Sequence, residues 1–105
     1  MSGYLLKPSD APGTFVMDWA RGYLRPGETL AADLGWSIQP SRIEAGDLTI
    51  ETQAFDDRKS WARFADGVPG RFYMVSNRVR TTDDRTLSRG IVVRVAMSRS
   101  ATASD

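Results

Sequence analysis

The chain is predicted to fold as an all-β sandwich, on three observations. Apolar residues recur at every second position in stretch after stretch, the period that sends alternate side chains to opposite faces of a strand. The Pro-Gly pairs at Pro26-Gly27 and Pro69-Gly70 separate such stretches. Proline presets φ at the second turn position and glycine accepts φ > 0 at the third. No segment carries a convincing amphipathic helical period.

Six or seven strands follow in order. Tyr4-Leu5-Leu6 can form a short edge strand, within an N-terminal arm (residues 1–12) broken by Pro8 and Pro12. As an exposed apolar triplet it needs cover from its own domain or a neighbour, and the expectation is that a neighbour orders the arm. In Thr14–Trp19 the odd positions Phe15, Met17 and Trp19 face inward. The stretch Thr29–Pro40 is the central strand: Leu30, Ala32, Leu34, Trp36 and Ile38 share one parity, against Ala31, Asp33, Gly35 and Ser37. Ser41–Asp47 is a polar connection. Leu48–Ala54 alternates again, then Asp56–Lys59 makes a charged turn. Trp61–Ala65 is irregular, because Trp61 and Phe64 have opposite parity. Arg71–Thr81 is the longest clean strand, with Tyr73, Val75, Asn77 and Val79 on one face and Phe72, Met74, Ser76, Arg78 and Arg80 on the other. Leu87–Met97 closes the domain, with Ile91, Val93 and Val95 inward. The expected organisation is thus an arm over 1–12, one domain over 13–97 and a flexible small, polar tail over 98–105. The expected core includes Trp19, Leu34, Trp36, Ile38, Tyr73, Val75 and Val93. The pattern fits a sandwich of six to seven antiparallel strands and immunoglobulin-like size; a small barrel is the structural competitor.

Composition limits the chemistry. The 105 residues include no cysteine and no histidine, which removes thiolate metal sites, disulfides and the commonest general base. The formal net charge of +1 lacks the basic excess of a nucleic-acid or membrane-surface protein, so neither partner is expected. No apolar run approaches the roughly 20 residues of a membrane span. Nothing at the start resembles a signal peptide, so a cytoplasmic origin is expected. The acidic pairs Asp56-Asp57 and Asp83-Asp84 lie in turns, where Asp bonds nearby backbone N–H groups. Neighbours on an extended chain point to opposite faces, so neither pair converges on a substrate. No cofactor or metal site is expected. Asn77, mid-strand on an apolar face, reads as a buried amide tied within the fold. Of the three tryptophans, only Trp61 is left open as a ring for stacking a sugar.

Asp18-Trp19, Gly27-Glu28-Thr29, Trp36, Gly70, Tyr73 with Asn77, Thr81-Thr82, Arg85 and the Ile91–Val95 strand occur in an order and spacing that resembles small tailed-phage structural proteins. These are the phage fiber–tail adaptor proteins with an immunoglobulin-like fold. The likeness spans residues 14–97. It departs at Trp61–Asp66, where such proteins carry a Gly-rich stretch. The resemblance implies a virion component, assembled in the host cytoplasm, that joins tail or neck to fibers, with no enzyme activity. Its expected partners are tail, neck and fiber subunits and other copies of the chain in a ring. A carbohydrate-binding or capsid- or fiber-decorating immunoglobulin-like domain is the alternative. The motif residues read as structural and do not mark the interface.

The interface is expected elsewhere. If the strand at 29–38 lies beside 71–81, which pairs with 87–97, the outer face of that sheet carries Ala31, Asp33, Gly35, Ser37, Phe72, Met74, Ser76, Arg78, Arg80, Val92, Arg94 and Ala96. Small residues allow close approach, and Phe, Met and Arg are enriched at interface cores. With the arm's Tyr4, Leu5 and Leu6, the interface residues singled out are Asp33, Phe72, Met74, Arg78, Arg80, Val92 and Arg94. The competing expectation is that the arm or a loop of the same chain covers Phe72 and Met74.

Overall fold

The computed structural model describes residues 3–40 and 46–97. The tail expected over 98–105 and most of the Ser41–Asp47 connection lie outside the described residues. The described chain is all-β: β1 (Gly3–Lys7), β2 (Gly13–Asp18), β3 (Leu30–Gln39), β4 (Thr49–Phe55), β5 (Lys59–Ala65), β6 (Phe72–Thr81) and β7 (Thr86–Val95). They form a four-stranded sheet in the order β1-β7-β6-β3 and a three-stranded sheet in the order β2-β5-β4. No helix is long and apolar enough to cross a membrane among the described residues.

The turns form as the Pro-Gly chemistry dictates. Gly27 has φ +80° and the Glu28 N–H donates to Arg25 O at 2.9 Å. Gly70 has φ +83° and the Arg71 N–H donates to Val68 O at 3.0 Å. Both are the type II geometry, which requires a left-handed residue at the third position. At the β4–β5 turn, the Asp56 carboxylate accepts from the Arg58 and Lys59 N–H groups, both at 2.9 Å. These bonds hold its pKa below the ordinary aspartate value.

Between the sheets lie Met17, Trp19, Ala62, Phe64, Tyr73, Val75, Val79, Ile91, Val93 and Val95, all fully buried. They come from alternate positions of β2, β5, β6 and β7, plus Trp19 just after β2. The Trp36 ring meets the Phe64 ring edge-on across the gap, with centroids 6.0 Å apart.

Three expectations change. First, β1 is not an arm awaiting a neighbour. It pairs with β7, Gly3 opposite Ile91 through Lys7 opposite Val95, and the pairing is parallel, so the sheet is not wholly antiparallel. Leu5 turns inward against the core and Lys7 is fully buried. Second, β3 does not keep one parity. Its register against β6 shifts between Leu30 and Ala32 and again between Asp33 and Gly35. Each bulge adds one residue and flips the faces. Leu30, Trp36 and Ile38 therefore keep their inward side, Ala32 swings outward opposite Arg80, and Asp33 swings inward opposite Val79. Leu34, placed in the core by parity, falls at the second bulge and is 43% exposed. Third, Trp36 and Ile38 pack against the core but are only half-buried, because β3 is the last strand of its sheet.

Candidate protein interface

The outer face of the four-stranded sheet gathers residues that are distant in sequence. Its register sets Tyr4 opposite Val92 and Val92 opposite Met74; in the adjacent row Leu6 faces Arg94 and Arg94 faces Phe72. Because β1 lies beside β7 in the same sheet, it extends this face instead of covering it. Tyr4 (54%), Leu6 (53%), Phe72 (57%) and Met74 (55%) are each more than half exposed. Cover of Phe72 and Met74 by the arm is thereby excluded. The Arg94 guanidinium lies 5.5 Å from the Phe72 ring centroid, a cation–π contact that holds the ring while leaving its edge open. Farther along, Arg78 and Arg80 are exposed opposite Gly35 and Ala32, and the Ser37 and Ser76 hydroxyls meet at 2.8 Å.

At one end of the face the chain leaves β1 and passes the end of β7. Leu6, Pro8, Ser9, Asp10, Ala96 and Met97 line an apolar pocket of about 230 Å³ there. Met97, 65% exposed, extends the patch, a residue sequence reasoning did not single out. Parity sets Met97 inward with Ile91, Val93 and Val95, but the strand ends at Val95 and Met97 lies beyond it. Of the residues singled out, Tyr4, Leu6, Phe72, Met74, Arg78, Arg80, Val92 and Arg94 share this face, whereas Leu5 and Asp33 face the core.

Asp33 belongs to a buried polar tie. Trp19 Nε1 donates to Ser60 Oγ (2.8 Å), and Ser60 Oγ donates to Asn77 Oδ1 (2.5 Å). Asn77 Nδ2 donates to Asp33 Oδ1 and to Gly35 O, both at 2.9 Å. Asp33 also accepts from the Gly35 N–H (2.9 Å) and Trp36 Nε1 (3.2 Å). The amide of Asn77 thus spans the two sheets and clamps the second bulge of β3, as a buried polar group must do to offset its lost water.

A second tie closes one end of the sandwich. Arg85 Nη2 lies 2.5 Å from Glu28 Oε1, Arg85 Nε donates to Glu28 Oε2 (2.9 Å), and Thr81 Oγ1 donates to the same carboxylate. The Arg85 fork and the surrounding donors outweigh burial and pull the Glu28 pKa down to about 2. Toward the other end, Tyr73 Oη donates to Asp47 Oδ1 (2.6 Å) and accepts from the Val68 N–H (3.1 Å), and Arg71 pairs with Asp47 at 3.1 Å. Burial, with the Asp47 bond, raises the Tyr73 pKa. Lys7 donates to Pro8 O at 2.8 Å, and burial lowers its pKa against the opposing pull of Asp66 and Asp10. Trp19, Glu28, Tyr73, Asn77, Thr81 and Arg85, which carry the sequence resemblance, are therefore members of these ties; all but the half-buried Arg85 are buried, away from the exposed face.

No group of three His, Cys, Asp or Glu is placed to hold a metal among the described residues. Trp61 sits on the outer face of the three-stranded sheet between Val16 and Ala54 and is half-buried. Trp19 is fully buried, so one partly covered ring is all the outer face of that sheet offers for stacking.

Residues 7–94 match the family described as podophage GP4 fiber-tail adaptor protein gp77. No curated protein matches the chain.

Proposed function

Because the chain belongs to the podophage GP4 fiber-tail adaptor family, a family of phage structural proteins, we propose that it joins tail or neck to tail fibers through the outer face of its four-stranded sheet. The observation that carries this reading is the joining of Tyr4 and Leu6 with Phe72, Met74 and Arg94 into one exposed patch. A monomer rarely leaves such a patch uncovered, and aromatic, Met and Arg side chains supply the strongest contacts at protein interfaces. The exposed Arg78 and Arg80 fit the rim, where charge steers partners and sets register. The chain works as copies in a ring, assembled in the host cytoplasm, against tail and fiber subunits. It acts by protein contact without nucleic acid, in keeping with a net charge of +1.

The sandwich itself reads as immunoglobulin-like. Its β2-β5-β4 and β7-β6-β3 orders follow the B-E-D and G-F-C arrangement of that fold. The Tyr73 hydroxyl accepting from the Val68 N–H resembles the tyrosine corner at the start of strand F.

The test is a Phe72→Glu, Arg78→Glu double variant. Both side chains are exposed, so the melting temperature should stay at the wild-type value. Incorporation into particles should be lost, because an unpaired charge buried in a contact costs several kcal/mol. Normal virions carrying this variant would rule the face out.

A further inference from the structure

The outer face of the four-stranded sheet divides into two halves along β6. Toward the start of β6 run the mainly apolar rows Tyr4-Val92-Met74 and Leu6-Arg94-Phe72. Toward its end run Ser88-Arg78-Gly35 and Thr86-Arg80-Ala32. Every charged residue in these rows is an arginine. Arg94 is engaged by the Phe72 ring. Arg78 and Arg80 are exposed, and neither meets a carboxylate among the described residues. Arg63, exposed on the other sheet, does meet one, Glu51 at 2.7 Å. Arg78 and Arg80 occupy alternate positions of β6, about 7 Å apart by the rise of a strand. Their neighbours in the rows are Gly, Ala, Ser and Thr, which are too short to cover them and carry no charge to balance them.

We propose that this face takes an acidic surface of another virion protein, with carboxylates on Arg78 and Arg80 and apolar side chains on the Phe72 half. Guanidinium groups pair bidentately with carboxylates. Two of them side by side repel until a partner supplies the opposite charge. The spacing constrains that partner. Its apolar and acidic parts lie about 13 Å apart, the rise of a strand from Met74 to Arg78. A second copy docked through the same face fits poorly, because the face holds no carboxylate and the guanidinium groups would be buried unpaired. A single-stranded nucleic acid fits poorly too. Such a strand is held by aromatic rings set among the cations, whereas Tyr4 and Phe72 both lie in the apolar half. The inference rests on the adaptor reading of this face and adds the chemistry of the partner.

Virions made with variants of the full chain test it. The pair Arg78→Gln, Arg80→Gln removes the charge, and the pair Arg78→Glu, Arg80→Glu reverses it. Both positions are exposed, so each variant should keep the wild-type melting temperature. Copies per virion should fall from wild type to the glutamine pair to the glutamate pair. The last step should be at least about tenfold, because like charges then face each other. Equal incorporation of the two pairs overturns the inference and leaves the adaptor reading in place. If both are lost entirely, Arg80→Gln and Arg80→Glu alone carry the same comparison. Virions holding Arg78→Lys, Arg80→Lys are then treated with a carbodiimide, which joins amines directly to carboxylates. Peptide mass spectrometry should find position 78 or 80 joined to Asp or Glu of a tail, neck or fiber protein. No joining overturns the inference, and so does joining only to other copies of this chain; if virions do not hold this variant, the charge comparison decides. Binding of the free chain to single-stranded DNA tighter than about 1 µM at physiological salt, beyond the non-specific range, and lost in the glutamate pair, makes nucleic acid the occupant and overturns it too. Absence of the wild-type chain from virions overturns the adaptor reading itself, and this inference with it.

Discussion

Replacing Asn77 by leucine isolates the hydrogen bonds that hold the two sheets and the β3 bulge together. Leucine has nearly the branched shape of asparagine, so little cavity is left. The Ser60 hydroxyl loses its acceptor and Gly35 O loses its side-chain donor. Each buried group left unpaired costs about 1–3 kcal/mol. Asp33 loses one charge-assisted bond but keeps the Gly35 N–H and Trp36 Nε1, a loss of about 1.5–3 kcal/mol. Burying the leucine returns about 1.5–3 kcal/mol. The net is about 2–6 kcal/mol, a large part of the 5–15 kcal/mol typical of a whole domain. The melting temperature should fall by roughly 10–50 °C, at 4–8 °C per kcal/mol for a domain of this size. Urea unfolding followed by tryptophan fluorescence suits the question, because Trp19 and Trp36 both donate into this tie. A Ser60→Ala variant and the double variant should show a coupling above about 0.5 kcal/mol, as members of one network do. A loss below about 1 kcal/mol for Asn77→Leu, or strict additivity with Ser60→Ala, would refute the view that this amide holds the bulge.

Glu28 sets an acid limit: with a folded pKa near 2 against an ordinary 4.5, its contribution is complete above about pH 4.5 and drains away as pH falls toward 2, because the unfolded chain takes up the proton first. Glu28→Gln should lower stability at neutral pH and flatten the slope between pH 4.5 and 2 in thermal melts taken across that range; an unchanged slope would place the acid sensitivity elsewhere. Deleting residues 1–7 should cost at least about 2 kcal/mol in urea unfolding, from the lost β1–β7 ladder and the burial of Leu5; a truncated chain as stable as the whole would return β1 to the status of a loose arm. Gly67→Ala should cost about 1–3 kcal/mol, since φ is +105° there and the added Cβ would stand 2.6 Å from Val95 Cγ2; differential scanning calorimetry reads this directly, and an unchanged melting temperature would show that the turn relaxes freely.

Local chemistry was enough to read much of this protein from its sequence. A period of two separates the faces of β6 and β7, and the Pro-Gly pairs set both type II turns, because each depends only on residues adjacent in the chain. The same local rule placed Phe72 and Met74 outward, and gave Asn77 its reading as a tied amide. The absence of histidine and cysteine narrowed the chemistry before any fold was considered. Three features depended on contacts between distant segments. Parity runs unbroken through Leu30–Ile38 in the sequence, but Asn77, 42 residues from Gly35 along the chain, pulls Asp33 and the Gly35 backbone inward and so creates the bulge. Within β3 the local sign is Asp33 followed by Gly35, whose φ is +126° and whose N–H bonds the Asp33 carboxylate, and Leu34 and Asp33 exchange their expected environments as a result. Strand β1 is decided in the same way. Tyr4-Leu5-Leu6 is short enough to be an arm, and only the free edge of β7 makes it a strand. Joining it to that edge carries Tyr4 and Leu6 beside Phe72 and Met74, so the exposed patch is a product of sheet order, whereas the residue types that compose it were already legible in the chain.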